Sequence, residues 1–475
     1  MKISSTRTQW SVGQGFFHSG TVTLCGNQTQ TIHYVYDCGS CSPKILKTRI
    51  SNYVQTINNG KSDSKETANP EIKLFFVSHF DRDHINGITT LSQMVDVDRF
   101  IIPFVKPEVR LFNFTHMMTE DDSFPSGSTE DQFVVAVTIS PEEAFLELTS
   151  RPEERYRVIQ IPPSDSRDLR TIEIPSINLA NSTFRSADRI DFNLNYSSIT
   201  ASIQSQKKIV WQWESHTLKQ FDETTIAQFR KHLVSKLNST SASYPVRFND
   251  SEDIFSTRNM RHWVKDPNNR NILKDAYRKA LGENTSLNRT SLMLYSGPPK
   301  GTYSAFWSYS NNRGSLSHSS LYNIEKVFRE AQIDDEDLDL IHGGRLLRMA
   351  SLAAELPQLP SNLDDAPIGW LGLGDIEFDD PSSVNDLFNH RKLQVRTLAI
   401  PHHGSGSNKN WNNNILHNFQ HPIACVASVG VNYSRYGHPN RNVVMDINGA
   451  GSTLIVVTEV PDSQFKENVY YITRH

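Results

Sequence analysis

Cysteine is scarce in this chain: four in 475 residues, namely Cys25, Cys38, Cys41 and Cys425. So few thiols exclude a disulfide scaffold and point to a reducing compartment, the cytoplasm. Cys38-Gly39-Ser40-Cys41 has C-x-x-C spacing. It lacks a thioredoxin-like context, and half a zinc site would need two more ligands nearby, so we read two incidental thiols in a loop. Long apolar runs are also missing. None approaches the roughly eighteen residues of a membrane span, and Met1 to Arg7 lacks the apolar core of a signal peptide. No membrane association is therefore expected. Nor is there an excess of charge: the formal net charge of −4 argues against a globally basic nucleic-acid binder. A hydrophobic fraction of 37% is somewhat low but globular. The length exceeds one ordinary domain and suffices for a large core. No short-period repeat is visible.

What the chain does have is Ser78-His79-Phe80-Asp81-Arg82-Asp83-His84, four potential metal ligands in six residues. The preceding Leu74-Phe75-Phe76-Val77 predicts a buried strand, and a helix is expected from Ile85. Imidazole and carboxylate are the groups that bind zinc, manganese and iron. Crowding them at a strand end without a cation would leave like charges and unpaired polar atoms. Three further segments have the same form: Gly372-Leu373-Gly374-Asp375, then Ile400-Pro401-His402-His403-Gly404, then Arg435-Tyr436-Gly437-His438-Pro439 after the apolar run ending at Val429-Gly430. Strand ends that deliver His and Asp fit one site in a layered α/β protein.

With these motifs in order, the chain resembles the metallo-β-lactamase fold. Within it, the chain is most similar to the soluble domain of the competence protein ComEC and its free-standing relatives. His79-x-Asp81-x-Asp83-His84 is similar to the His-x-Asp-x-Asp-His variant of that branch. Val12-Gly13-Gln14-Gly15, Tyr36-Asp37-Cys38-Gly39 and Asn288 to Leu294 resemble its opening turn, its Asp-x-Gly strand end and its mid-chain strand. The resemblance covers roughly residues 1–105 and 285–475. It implies an α/β class with αββα layering: a first half-core at 1–105, an inserted subdomain at 106–285, and a second half-core at 286–475 with an insertion at about 297–367.

The resemblance also implies roles. His79 and Asp81 would belong to one metal site, Asp83 and His84 to a second, with Asp375 bridging and His403 (less readily His402) completing the second. Asp81 in place of the usual histidine makes the first site richer in oxygen, which favours manganese or magnesium over zinc by ligand type. One or two divalent ions are expected. Metal-assisted hydrolysis follows. Asp83 would orient the nucleophile, His402 and His438 would hold the scissile phosphate or protonate the leaving oxygen, and Arg435 would pair with the phosphate.

The apolar pattern predicts strands within 8–37 and at 72–78, 99–104, 290–295, 368–374, 395–400, 422–428, 453–459 and 468–473. A helix is expected at 85–95. Inside 106–285, Ile209 to Trp213 reads as a strand and Thr224 to Leu237 as a helix. Helices are also expected near 320–332 and 344–356, with the acidic run Asp334 to Asp337 a solvated turn between them. Arg258, Arg261, Lys265, Arg270, Lys274, Arg278 and Lys279 make a local basic stretch with Trp263 and Tyr277 interleaved. Such a stretch can neutralise phosphates and stack on bases, or be a solvated helical face with core aromatics. Three function classes stay open. The favoured one is a metal-dependent phosphodiesterase acting on nucleic acid, DNA first, and as a guess from architecture a defence effector directed by a protein partner through 106–285. The others are a small-molecule hydrolase (lactone, thioester or cyclic nucleotide) and a binding protein that lost turnover.

Overall fold

The computed structural model describes residues 2–25, 29–58, 69–163, 174–179, 188–195, 198–205, 208–217, 223–239, 253–281, 291–299, 303–310, 367–377, 388, 390–406, 410–411, 414–417, 419, 423–431 and 437–473. The expected helices near 320–332 and 344–356, and Arg435, lie outside them.

The strands form two mixed sheets. The first contains β1 (Lys2–Gln9), β2 (Phe17–Cys25), β3 (Gln30–Cys38), β4 (Glu71–Phe76), β5 (Asp96–Pro103), β6 (Val158–Ile161), β12 (Tyr303–Ser310) and β17 (Phe465–Thr473). Its order is β12-β17-β1-β2-β3-β4-β5-β6. The second contains β7 (Ile177–Asn178), β8 (Arg189–Asn195), β9 (Ser198–Ser205), β10 (Lys208–Thr217), β11 (Leu292–Gly297), β13 (Gly369–Gly372), β14 (Val395–Ala399), β15 (Ala424–Ser428) and β16 (Thr453–Val457). It runs β16-β15-β14-β13-β11-β10-β9-β8-β7. Strands β3 to β6 are mutually parallel, as are β13 to β16, whereas the flanking strands pair antiparallel.

Side chains alternate across each strand, so each sheet has two apolar faces to cover. Tyr34, Tyr36, Leu74 and Phe76 of the first sheet meet Trp211, Trp213, Leu292, Leu294 and Trp370 of the second in one buried cluster. The opposite face of the first sheet, with Val35, Phe75 and Phe100, packs on helices. These are α1 (Pro43–Asn58), α2 (Arg82–Ile85), α3 (Ile88–Ser92), α4 (Pro107–Glu120), α5 (Thr129–Ile139), α6 (Pro141–Leu146), α7 (Glu223–Ser239), α8 (Thr257–Lys265) and α9 (Pro267–Ala280). The outer face of the second sheet, with Met293, Tyr295 and Leu398, packs on α10 (Asn414–His417) and α11 (Arg441–Gly449). Each fully buried side chain of this kind contributes about 1.5–3 kcal/mol. Between the sheets lies a buried ion pair, Arg7 Nε to Glu467 Oε1 at 2.9 Å. Arg7 also donates to the carbonyl of Ile368 at 2.8 Å, tying the two sheets together.

The described residues of 106–285, expected as an inserted subdomain, are shared out among these layers. Strand β6 extends the first sheet, β7 to β10 extend the second, and α4 to α9 cover the first sheet's outer face. The expected strand at 209–213 and helix at 224–237 fall within β10 and α7. The expected helix at 85–95 is two short helices, α2 and α3, separated at Gly87.

Candidate metal centre

The parallel strands β3 and β4, and β13 to β15, release their chains at one corner where the sheets meet. There the N–H of Leu292 donates to the carbonyl of Ser78 at 2.7 Å, and that of His402 to the carbonyl of Gly374 at 3.1 Å. His79, Asp81, Asp83 and His84 follow β4, Asp375 follows β13, and His402 and His403 follow β14.

The hydrogen-bond network fixes which nitrogen of each buried histidine faces inward. His84 Nδ1 donates to Asp37 Oδ2 at 2.9 Å. His403 Nδ1 donates to the carbonyl of Ser428 at 2.8 Å. Ser78 Oγ gives its proton to Asp37 Oδ2 at 2.5 Å, so it accepts from His79 Nδ1 at 2.9 Å. In each ring Nε2 is therefore left as the free lone pair. The Nε2 atoms of His79, His84 and His403 are buried and have no hydrogen-bond partner among the described residues. Buried acceptors are normally satisfied, and metal-bound histidines characteristically use their second nitrogen in this way.

Carboxylates surround these three atoms. His79 Nε2 lies 3.5 Å from Asp81 Oδ2 and 3.8 Å from Asp375 Oδ2. His84 Nε2 lies 3.5 Å from Asp375 Oδ1, and His403 Nε2 lies 3.7 Å from Asp83 Oδ2. Two ligand groups result, His79 with His84 and Asp375, and Asp83 with His84 and His403. Within each group the donor atoms lie within 4.8 Å of one another. His84 thus belongs to both groups, and Asp375 sits with His79 and His84.

The electrostatics call for positive charge at this point. Burial alone would lower the pKa of His79, but Asp81, Asp375 and Asp37 outweigh it and raise it to about 10. Burial would raise Asp375, but His84, His402, His403 and His79 hold it well below the ordinary carboxylate range. Asp83, similarly opposed by burial, is held down at about 2 by His403, whose ring faces it at 3.7 Å, and by the charge of His84. A divalent cation satisfies such a set better than a proton on His79 does. Three imidazoles and three carboxylates suit manganese, zinc or iron.

The backbone is strained here. Asp37, His402 and His403 are the only non-glycine residues at positive φ among the described residues, at 57°, 47° and 57°. Each costs about 1–3 kcal/mol, and such strain concentrates at functional sites. A close approach also needs glycine: a Cβ on Gly39 would lie 2.3 Å from the Asp83 carbonyl oxygen and 2.5 Å from the His84 nitrogen. The turn at Gly13 to Gly15 supports the same backbone, with Phe16 N–H donating to the Asp83 carbonyl at 3.2 Å.

His402 is 30% exposed at the mouth, with Nε2 3.9 Å from Asp375 Oδ2. Its Nδ1 donates to Asn410 at 3.2 Å. The ring of His438 stands 5.6 Å from that of His402 and 6.4 Å from that of His403. Burial, then the charges of His402 and His403, lower its pKa to about 3. It is therefore neutral near pH 7, which does not suit it as a proton donor.

Arg258, Arg261 and Lys265 are not gathered with this cluster. They are exposed on α8, opposite its buried Asn259, Met260, Trp263 and Val264. The interleaved aromatics are core residues. Trp263 is buried and donates to the carbonyl of Ile254 at 3.1 Å, and the ring of Tyr277 packs 4.7 Å from that of Phe112. Stacking on bases is thus not open to them. Asp37 is the residue whose site role the sequence reading missed. Its signal was the Asp37-Cys38-Gly39 end of an apolar strand, noted as a motif without a role for Asp37. Ser78 and Ser291, which hold His79 and Asp375, stood inside segments already singled out, without a role assigned to them; Asn410, which holds His402, carried no signal. No protein-family model matches this chain, and no curated protein matches it significantly by sequence.

Proposed function

We propose that this chain is a metal-dependent phosphodiesterase of the metallo-β-lactamase fold, on its ComEC-like branch, acting on nucleic acid and DNA first. The observation that carries the reading is the convergence of three unpartnered Nε2 atoms, from His79, His84 and His403, on Asp81, Asp83 and Asp375. It is supported by the order of the motifs along the chain and by the succession of helix, sheet, sheet and helix layers.

The six residues would hold one or two divalent ions, manganese or zinc, with magnesium also in range of the oxygen-rich side. A bound ion would supply Lewis acidity, lowering the pKa of water and offsetting charge on phosphoryl oxygens. Asp83, a carboxylate at neutral pH, accepts a hydrogen bond from the attacking water and orients it. His402, the most open of the strand-end histidines, gives the leaving oxygen its proton. His438, neutral, holds the substrate by a hydrogen bond. Arg435 is retained as a phosphate partner on its sequence motif alone. The exposed Arg258, Arg261 and Lys265 would contact phosphates beyond the scissile bond.

The test is a cleavage panel. Metal-stripped protein is given labelled single- and double-stranded DNA and RNA with manganese, magnesium or zinc, beside Asp83→Ala. Metal-dependent cutting that the variant lacks is expected. Cutting by Asp83→Ala protein at the wild-type rate would overturn the assignment. No cutting of any strand, with metal still bound, would move the reading to a small-molecule hydrolase or to a nuclease silent until a partner protein binds.

A further inference from the structure

The turn that carries Asp81 and Asp83 cannot hold itself in place. Helix α2 is four residues long. Its own backbone bonds are those from His84 and Ile85 to the Asp81 carbonyl and from Asn86 to Arg82. A single turn has no independent stability, so its position must be set from outside. On one side the Phe16 N–H and the bare backbone of Gly39 press on Asp83. On the other side the grip is the side chain of Arg82, the residue between the two aspartates.

Arg82 Nε lies 3.0 Å from Asp131 Oδ1, and its Nη1 donates to Asp121 Oδ2 at 2.9 Å. The guanidinium stands 5.6 Å from the ring of Phe124. Asp131 is 0% exposed. Its other oxygen accepts from the N–H and Oγ of Ser126, at 2.7 and 2.6 Å. It lies in the first turn of α5, and Asp121 directly follows α4. A buried carboxylate that loses its cation is strongly penalised, so this contact is held firmly where a surface pair would not be. The arginine fork suits the role because it reaches two carboxylates at once.

We propose that Arg82 is a positioning residue that clamps the Asp81–Asp83 turn to helices α4 and α5, so that the metal affinity of the site depends on that contact. The inference rests on the metal reading above. It makes the helical layer an active part of the site, since α8 packs on α5, and α9 on α4 and α8.

The experiment measures Mn(II) binding by titration, well below the melting temperature, on wild-type protein and on the double variant Arg82→Gln, Asp131→Asn. The double variant removes both charges and keeps acceptors for Ser126. Removing a supporting partner typically weakens metal affinity by roughly 10- to 100-fold, and at least the lower end is expected. A merely structural role would lower the melting temperature and leave affinity unmoved, which would overturn the proposal. If the double variant does not fold, Asp121→Asn, which strands no buried charge, reports instead. Several-fold weaker binding supports the clamp, and wild-type affinity overturns it. Wild-type protein that binds no Mn(II) would sink the metal reading itself, a failure distinct from equal binding by wild type and variant.

Discussion

His84 donates from Nδ1 to the carboxylate of Asp37 at 2.9 Å, across 47 residues of sequence. The same carboxylate receives the N–H of Ser78 at 2.6 Å and its hydroxyl at 2.5 Å. Asp37 therefore orients His84 directly and His79 through Ser78.

Asp37→Asn tests this at constant shape. Asparagine tolerates the positive φ at this position and can still accept one hydrogen bond. It lacks the charge that strengthens the bond from His84. The expected result is Mn(II) affinity weaker by roughly tenfold or more, with the fold retained by circular dichroism.

Gly39→Ala tests the close approach. Its Cβ would strike the peptide joining Asp83 and His84, which is backbone and cannot rotate away. Overpacking of this kind costs about 1–3 kcal/mol. Urea unfolding should shift by that amount, and cleavage should fall together with it.

The exposed face of α8 makes a salt-dependent prediction. Replacing Arg258, Arg261 and Lys265 with alanine should weaken nucleic-acid binding for all sequences alike. It should also flatten the dependence of log affinity on log salt by about one for each phosphate that is no longer neutralised. An unchanged slope would remove α8 from the substrate path.

Glu214 sets a pH dependence of stability. Burial would raise its pKa, but hydrogen bonds with His216 and His390, at 2.8 and 3.0 Å, and the charge of Arg391 hold it well below the carboxylate range. Its folded pKa is thus below its unfolded one, about 4.3. The stabilisation is complete above the unfolded value and is lost as pH falls toward the folded one. Between pH 6 and pH 3 the wild type should lose stability more steeply than Glu214→Gln, measured by urea unfolding. Parallel losses would contradict the assignment.

Much of the candidate site was legible because its metal-binding residue types are dense and local. His79, Asp81, Asp83 and His84 lie in one run, and Asp375, His402 and His403 sit directly after apolar strands, where ligands collect. The contacts that support them were not legible: Asp37 and Ser291 stood in visible motifs, but the partners they hold, His84 and Asp375, lie 47 and 84 residues away. The same holds for Arg7 and Glu467, paired across nearly the whole chain. In 106–285 the strand β9 was passed over although Ser198-Ile199-Thr200-Ala201-Ser202-Ile203 alternates polar and apolar residues as a half-buried strand does; it buries Ile199, Ala201 and Ile203 between the sheets. For the aromatics of the basic stretch, the reading as core residues under a solvated helical face is the one that the structure bears out. Met260, Trp263 and Val264 form a helical stripe, and that spacing marks a buried face.

The measurement that bears most directly on the central claim is metal binding by chelator-stripped protein, wild type beside His84→Ala. His84 belongs to both ligand groups, so one substitution removes a donor from each. One or two Mn(II) or Zn(II) ions held per wild-type chain are expected, with a large loss of binding in the variant and both proteins folded. Equal binding by the two would contradict a metal centre at this corner of the sheets.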